Sequence, residues 1–340
     1  MITDTNVYWV PQALFEDQAL RNEFLRSIPA EYGCRGIYET DENGKGIFRI
    51  EKPFGFPNLD YFEDDYALEK QLSDMDAAGV DRAVMKLPSI QEWIGLELCK
   101  KFNDMAAEYA AASHGRMAAL AVVPPCGDGD CLAELDRCIG KLGMHGVQMS
   151  AHYGSHYLDS PVFRDFFRHV NELDIPVYVH HTPIPVEYAS LLDYNNLRRS
   201  YGRCVDQMTA VSRELFSGMF EELPNLKLVH SMLGGGFFAY TGLFFPADSG
   251  NGRFQTDHGK VREYLKKNIY FETSHSQPWG KDQLELAVKT LGADHILYGS
   301  SYPVKMVWMT GGPGFVKELD ICEEDKELIL NGNAQRIYRL

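Results

Sequence analysis

The run Ile175-Pro176-Val177-Tyr178-Val179-His180-His181 reads as a buried strand that ends in two histidines. β-Branched and aromatic residues fill it, and Asp174 and Pro176 mark its start. Before it lies Ser160 to Leu173, a helical pattern opened by Ser160-Pro161 as N-cap and first-turn pair. The same unit recurs in both directions. Further strands are expected at Thr3–Tyr8, Arg82–Leu87, Ala118–Val123, Gly146–Met149, Lys227–His230, Ile269–Glu272 and His295–Tyr298. Helical patterns separate them at Tyr66–Ala78, which is closed by Gly79, at Gln91–Ala112 and at Asp130–Leu142. Eight strands alternating with helices imply a parallel sheet, and eight such units close most naturally into a barrel. The expected fold is therefore α/β, a (β/α)8 TIM barrel in a single domain over residues 1–340. A doubly wound sheet is the runner-up, weakened because no GxGxxG follows the first strand.

Residues 12–65 make too long a connection between the first strand and its helix. Inside it, Gly36–Thr40 and Gly46–Ile50 flank Asp41-Glu42-Asn43-Gly44-Lys45, a β-hairpin signal. Leaving from the C-terminal end of strand one, this insert is expected to cap the barrel mouth. A second long stretch, Val186 to Leu223, should line the same face.

The chain has 340 residues and a formal net charge of −15, which argues against nucleic acid or an anionic membrane as its main partner. The N-terminus carries no secretory pattern, and no apolar run approaches the roughly 20 residues of a membrane span. The seven cysteines form no CxxC pair, which fits free thiols in a reducing compartment. A cytoplasmic protein with a small-molecule substrate is expected.

Barrel enzymes draw catalytic side chains from the C-terminal ends of their strands. There the sequence places Asn6 and Tyr8, His152 and His156, His180 and His181, His230, Glu272 and His275, and Ser301. His180 and His230, on adjacent strands, read as functional together. His181 should point away from His180, since side chains alternate along a strand. His152 and His156 lie on a loop, where a solvated role competes with a site role. Glu272 is a strand-end carboxylate of the kind that is commonly paired. Gly234-Gly235-Gly236 fits either a phosphate cradle or a tight turn. Arg35, Arg49, Lys86 and Lys305 are candidates to bind a substrate carboxylate, Lys305 foremost because it follows strand eight.

Several stretches together carry a family resemblance. They are Ile175–His180, Pro224–His230 with its glycines, Ile296-Leu297-Tyr298-Gly299-Ser300-Ser301-Tyr302-Pro303 and Ile329–Tyr338, with Asn103-Asp104 and Ala78–Val84. In that order they resemble the amidohydrolase-related family that includes the aminocarboxymuconate-semialdehyde, resorcylate and carboxyvanillate decarboxylases. The resemblance implies a His-x-His pair on strand one, a histidine on strand five and an aspartate on strand eight, together holding one divalent metal. It also implies a catalytic histidine on strand six, and a homodimer. Here the metal positions read Asn6, Tyr8, His180 and Ser301, so His180 and His230 alone carry over. Asn, Tyr and Ser are poor ligands at neutral pH, and one surviving ligand should not hold an ion.

The expectation is thus an enzyme without a cofactor, a decarboxylase-like lyase or a hydrolase. Its substrate would be a small aromatic or unsaturated carboxylate or carbonyl compound. The pyrone-dicarboxylate lactonases work without metal on this scaffold. His180 or His230 would supply the proton, Tyr8 and Asn6 would orient a substrate oxygen, and Ser301 would donate a further hydrogen bond. His275, Glu272, His152, His156 and Lys305 would bind substrate. One alternative is a relocated site for zinc or manganese built from His180, His230, Glu272 and His275. Another is a ligand-binding relative without turnover.

Overall fold

The structure, a computed structural model, describes the chain apart from residues 31–32, 89, 183–184, 188, 193–196 and 246–257. Part of the stretch Val186 to Leu223 therefore lies outside the described residues. The described residues form fourteen strands, β1 to β14 in chain order. The eight staves of the barrel are β1 (Thr3–Tyr8), β5 (Arg82–Lys86), β6 with β7 (Met117–Ala119, Ala121–Val122), β8 (Val147–Ser150), β11 (Pro176–His180), β12 (Lys227–His230), β13 (Ile269–Glu272) and β14 (Ile296–Leu297). Each pairs in parallel with the next. The ring closes from β14 onto β1 through Thr5 N–H to Tyr298 O at 2.9 Å and Tyr8 N–H to Tyr302 O at 2.7 Å. The third stave is split between β6 and β7, yet Leu120 N–H still reaches Met85 O at 3.2 Å. This is the (β/α)8 barrel expected from the alternation of elements.

Two hydrophobic sets follow from strand alternation. Val84, Leu120, Tyr178, Val229, Tyr270 and Leu297 pack together inside the barrel. Ala334, Ile337 and Tyr338, from the C-terminal helix Asn333–Tyr338, join that cluster. The opposite faces of the staves, including Ala83, Val147, Val177, Val179, Leu228 and Phe271, belong to the larger core beneath the helices.

The insert after β1 is a three-stranded antiparallel sheet of β2 (Arg35–Thr40), β3 (Gly46–Glu51) and β4 (Pro57–Phe62). The hairpin signal thus corresponds to β2 and β3, turned through Asp41, whose carboxylate accepts from Asn43 N–H and Lys45 N–H. The third strand has no such signal, because a leading proline and Asn58 and Asp60 depress its β character. Phe48 of β3 meets Phe15 and Phe24 edge-on, and Phe24 lies 6.2 Å from Phe102 of the helix Leu96–Ala112. The sheet is thereby packed onto the barrel's outer shell. Two short strands, β9 (His152–Tyr153) and β10 (His156–Tyr157), form a hairpin beyond β8. No helix among the described residues is long and apolar enough to cross a membrane.

Candidate active site

A cleft of about 430 Å³ lies between the insert and the barrel mouth. Asn58, Tyr61 and Phe62 of β4 line one side, Pro303, Val304 and Lys305 the other, and Tyr8 the floor. Tyr8 reaches this position as the last residue of β1, on the same face as Asn6. Its Oη lies 2.8 Å from His180 Nε2, and His180 Nδ1 lies 2.8 Å from the His181 carbonyl. A carbonyl only accepts, so Nδ1 carries the imidazole proton and Nε2 accepts from the tyrosine. Burial, helped by the charge of Lys86, holds His180 down to about 3, so the ring is neutral. Burial also pushes the Tyr8 phenol up from its ordinary value.

Beneath this pair runs a closed polar network. Asn6 Nδ2 donates to Glu272 Oε2 at 3.0 Å and to Ser301 Oγ at 3.1 Å, while its Oδ1 accepts from Lys86 Nζ at 2.5 Å. Tyr178 Oη donates to Glu272 Oε2 at 2.7 Å, and Ser301 Oγ donates to Ser274 O at 2.8 Å. The Lys86 ammonium sits 3.9 Å above the centre of the Tyr178 ring. Burial lowers Lys86 to about 7, against the pull of Glu272 and Asp4. It raises Glu272 to about 7, against Lys86 and the Tyr178 hydrogen bond. Lys86 enters here as a member of the network rather than as an exposed carboxylate binder.

The structure therefore brings together Asn6, Tyr8, His180, Glu272 and Ser301. His230 is not among them. The register pairs His230 with Val179, so it shares the outward face of that residue and not the inward face of His180. It is fully buried, with Nδ1 3.0 Å from Gln207 Oε1 and Nε2 2.7 Å from Glu214 Oε2, both on the helix Arg203–Phe216. The expected catalytic role for His230, and its part in a relocated metal site, are corrected accordingly. The expected divergence of His181 is corrected too. Its ring lies 4.1 Å from that of His180, because alternation lapses where the strand ends.

His275 is half-buried and stacks on Trp308 at 4.4 Å, and burial together with Arg203 lowers it to about 4. Lys305 lines the cleft and lies 5.1 Å from the same Trp308 ring. His152 lies 2.7 Å from Thr182 Oγ1 and 3.3 Å from the buried Asp206. His156 is exposed, with Nδ1 3.4 Å from Ser160 Oγ. Of the other cationic candidates, Arg35 pairs with Glu51 and Arg49 with Asp60 and Glu39, all within the inserted sheet. The glycine run is a left-handed turn, with φ of 58°, 69° and 84° at Gly234, Gly235 and Gly236. At Gly235 a Cβ would overlap the carbonyl oxygen of Cys204, so close packing on the helix Arg203–Phe216 explains the run.

Sequence reasoning missed Tyr178, Ser274, Tyr61 and Arg203. Tyr178 was within reach, since it lies two residues before His180 on one strand and must share its face. Arg203 had no such signal, because its place depends on how a helix meets the inserted sheet. Its Nη2 donates to Asn58 Oδ1 at 2.9 Å.

The amidohydrolase family profile matches residues 60–340. The chain is 26% identical over 320 residues to the gamma-resorcylate decarboxylase of Rhizobium sp. (strain MTP-10005), covering 86% of this chain and 94% of that one. Among solved structures, the 5-carboxyvanillate decarboxylase of Novosphingobium aromaticivorans, with manganese and 4-hydroxy-3-methoxy-5-nitrobenzoic acid, superposes with a TM-score of 0.79. It is 20% identical and covers 100% of this chain and 96% of its own. The dihydroxybenzoic acid decarboxylase of Polaromonas sp. JS666, with bound manganese and 2-nitroresorcinol, gives 0.73 at 19% identity, covering 100% and 97%.

Manganese in these relatives overturns the expectation that no cofactor belongs to this chemistry. The residues at the four family positions nevertheless do not fit the ion. Asn6 is committed to Lys86, Glu272 and Ser301, and the Lys86 ammonium in contact with it repels a dication. Among the described residues, three metal-type donors converge only at Cys126, Asp128 and Cys131, on the loop after β7 and the helix that follows it. On its fold and on the match over residues 60–340, this chain belongs to the amidohydrolase family.

Proposed function

We propose that the protein is a carbon–carbon lyase that decarboxylates a small hydroxylated aromatic acid. The observation that carries this reading is Tyr8, backed by His180, on the floor of a cleft walled by Tyr61, Tyr66 and Phe62. The names of the relatives support the same chemistry.

Decarboxylation replaces a ring carboxylate by a proton, so one proton is consumed and CO2 leaves. The ring carbon becomes basic when a neighbouring hydroxyl gives up its proton and feeds charge into the ring. In this reading the substrate hydroxyl donates to Tyr8 Oη, and Tyr8 passes its own proton to His180 Nε2. His180 is neutral at rest, and because burial makes its ring a weak base the transfer draws on the negative charge that then develops beside it. The ring carbon takes a proton from solvent, CO2 leaves with its bonding pair going back into the ring, and the same path then returns the first proton to the phenolate oxygen. Lys86, 5.3 Å from the centre of the Tyr8 ring, stabilises negative charge there while the proton is on the imidazole. Asn6, Ser301 and Glu272 position Lys86 and do not touch the substrate. Lys305 and His275 border the bound ring.

The test is incubation with a panel of hydroxybenzoates, including 2,6-dihydroxybenzoate, with chromatographic detection of the phenol. Release of the phenol that is lost in Tyr8→Phe supports the reading, and no product from any member of the panel overturns it. Manganese in the relatives extends this reading to a metal-dependent decarboxylase whose cation lies away from the four family positions. Stoichiometric metal in the purified protein, with activity lost to a chelator, would select it. A homodimer working in the cytoplasm completes the proposal, checked by sedimentation and by cell fractionation.

A further inference from the structure

Among the described residues, two buried donors beside the cleft have no acceptor. Tyr61 is 3% exposed, and its hydroxyl has no hydrogen-bond partner. Arg203 Nε is likewise buried without one, although Nη2 of the same guanidinium is held by Asn58 Oδ1. Asn58 and Tyr61 both line the cleft above Tyr8. Among the described residues no carboxylate forms an ion pair with Arg203. Its bond to Asn58, which lines the cleft, sets the guanidinium directly behind that wall. Leaving a buried donor unsatisfied costs about 1–3 kcal/mol, and more where the group is charged. Two of them at one cleft point to a ligand with paired anionic acceptors, and the guanidinium fork matches a carboxylate.

A guanidinium on the departing carboxylate would hold the ground state more tightly than the transition state, in which that charge is vanishing. The receptor therefore suits a group that stays. We propose that Arg203 and Tyr61 bind a carboxylate that the substrate retains, so the substrate is an aromatic acid carrying a second carboxylate. This rests on the decarboxylase reading for its chemistry, whereas the anion site itself can be measured without turnover.

The experiment is calorimetric titration of the intact protein with benzoate, as a mimic of the retained group, and with neutral benzamide. Wild type should prefer benzoate by about tenfold or more. Arg203→Gln should abolish that preference, Arg203→Lys should restore part of it, and Tyr61→Phe should lose a smaller part. Melting curves confirm that each variant is folded, and Tyr61→Phe stands in should Arg203→Gln fail to fold. An unchanged preference in the folded Arg203→Gln protein, or in Tyr61→Phe where it stands in, overturns the proposal. So does failure of wild type to bind benzoate. Arg203-dependent binding without release of CO2 from any aromatic dicarboxylate would leave the anion site standing and sink the decarboxylase reading.

Discussion

Tyr8 and His180 meet across the barrel mouth with 2.8 Å between Oη and Nε2, and the His181 carbonyl on Nδ1 fixes which nitrogen accepts. In the proposed mechanism the pair is the proton path, and the hydrogen bonds set its direction. Only Tyr8 of the two lines the cleft.

Replacing Tyr8 by Phe should therefore lower kcat by roughly 10²-fold or more, the usual worth of a positioned acid–base group. The protein should lose only about 1–3 kcal/mol, because one buried imidazole nitrogen is left without its donor. Steady-state kinetics beside chemical denaturation separates the two effects. A variant with wild-type kcat would exclude Tyr8 from the proton path.

His180 also makes a prediction about acid. Burial holds it at about 3 in the folded chain against an ordinary value of 6.5. The unfolded chain thus binds this proton first as pH falls. The stabilisation is complete above pH 6.5 and drains away between there and about 3. His180→Gln should show a flatter stability curve across that window than wild type. Parallel curves would mean that the imidazole is not held neutral.

His230 separates structure from catalysis. His230→Ala leaves the buried Glu214 without its hydrogen-bond partner, a loss of about 1–3 kcal/mol. Activity per folded molecule should stay within a few-fold of wild type, since the ring faces the helix Arg203–Phe216. A stable variant with a hundred-fold lower kcat would return His230 to the active site.

Gly235→Ala should be among the most damaging single changes. The added Cβ meets the Cys204 backbone, and the residue sits at φ of 69°. The helix carrying Arg203 would have to move, so both the melting temperature and benzoate affinity should fall. Gly242→Ala, where a Cβ meets nothing within 4 Å, is the control. Equal melting temperatures for the two variants would refute the close approach.

The barrel was legible because its staves are short, rich in β-branched and aromatic residues, and bounded by turn formers. The inserted hairpin was legible for the same reason, its turn being written in Asp41 to Lys45. Local patterns fix local structure, and eight such units leave few ways to close a sheet. The third inserted strand was not legible, since Pro57, Asn58 and Asp60 argue against a strand until pairing with β3 supplies what propensity lacks.

The order of residues alone carries the fold, the family resemblance and the loss of three of the four family ligand positions, at Asn6, Tyr8 and Ser301. Which neighbours share a face was settled in three dimensions. Stave register turned His230 outward beside Val179, although both strand-end histidines read alike in one dimension. Packing of the helix Arg203–Phe216 against the inserted sheet brought Arg203 to Asn58, 145 residues away along the chain. Neither follows from spacing, because strand register and helix docking are settled by contacts between segments far apart in sequence. Burial in the finished barrel then moved His180, Lys86 and Glu272 away from their ordinary titration ranges, and no sequence pattern carries that information.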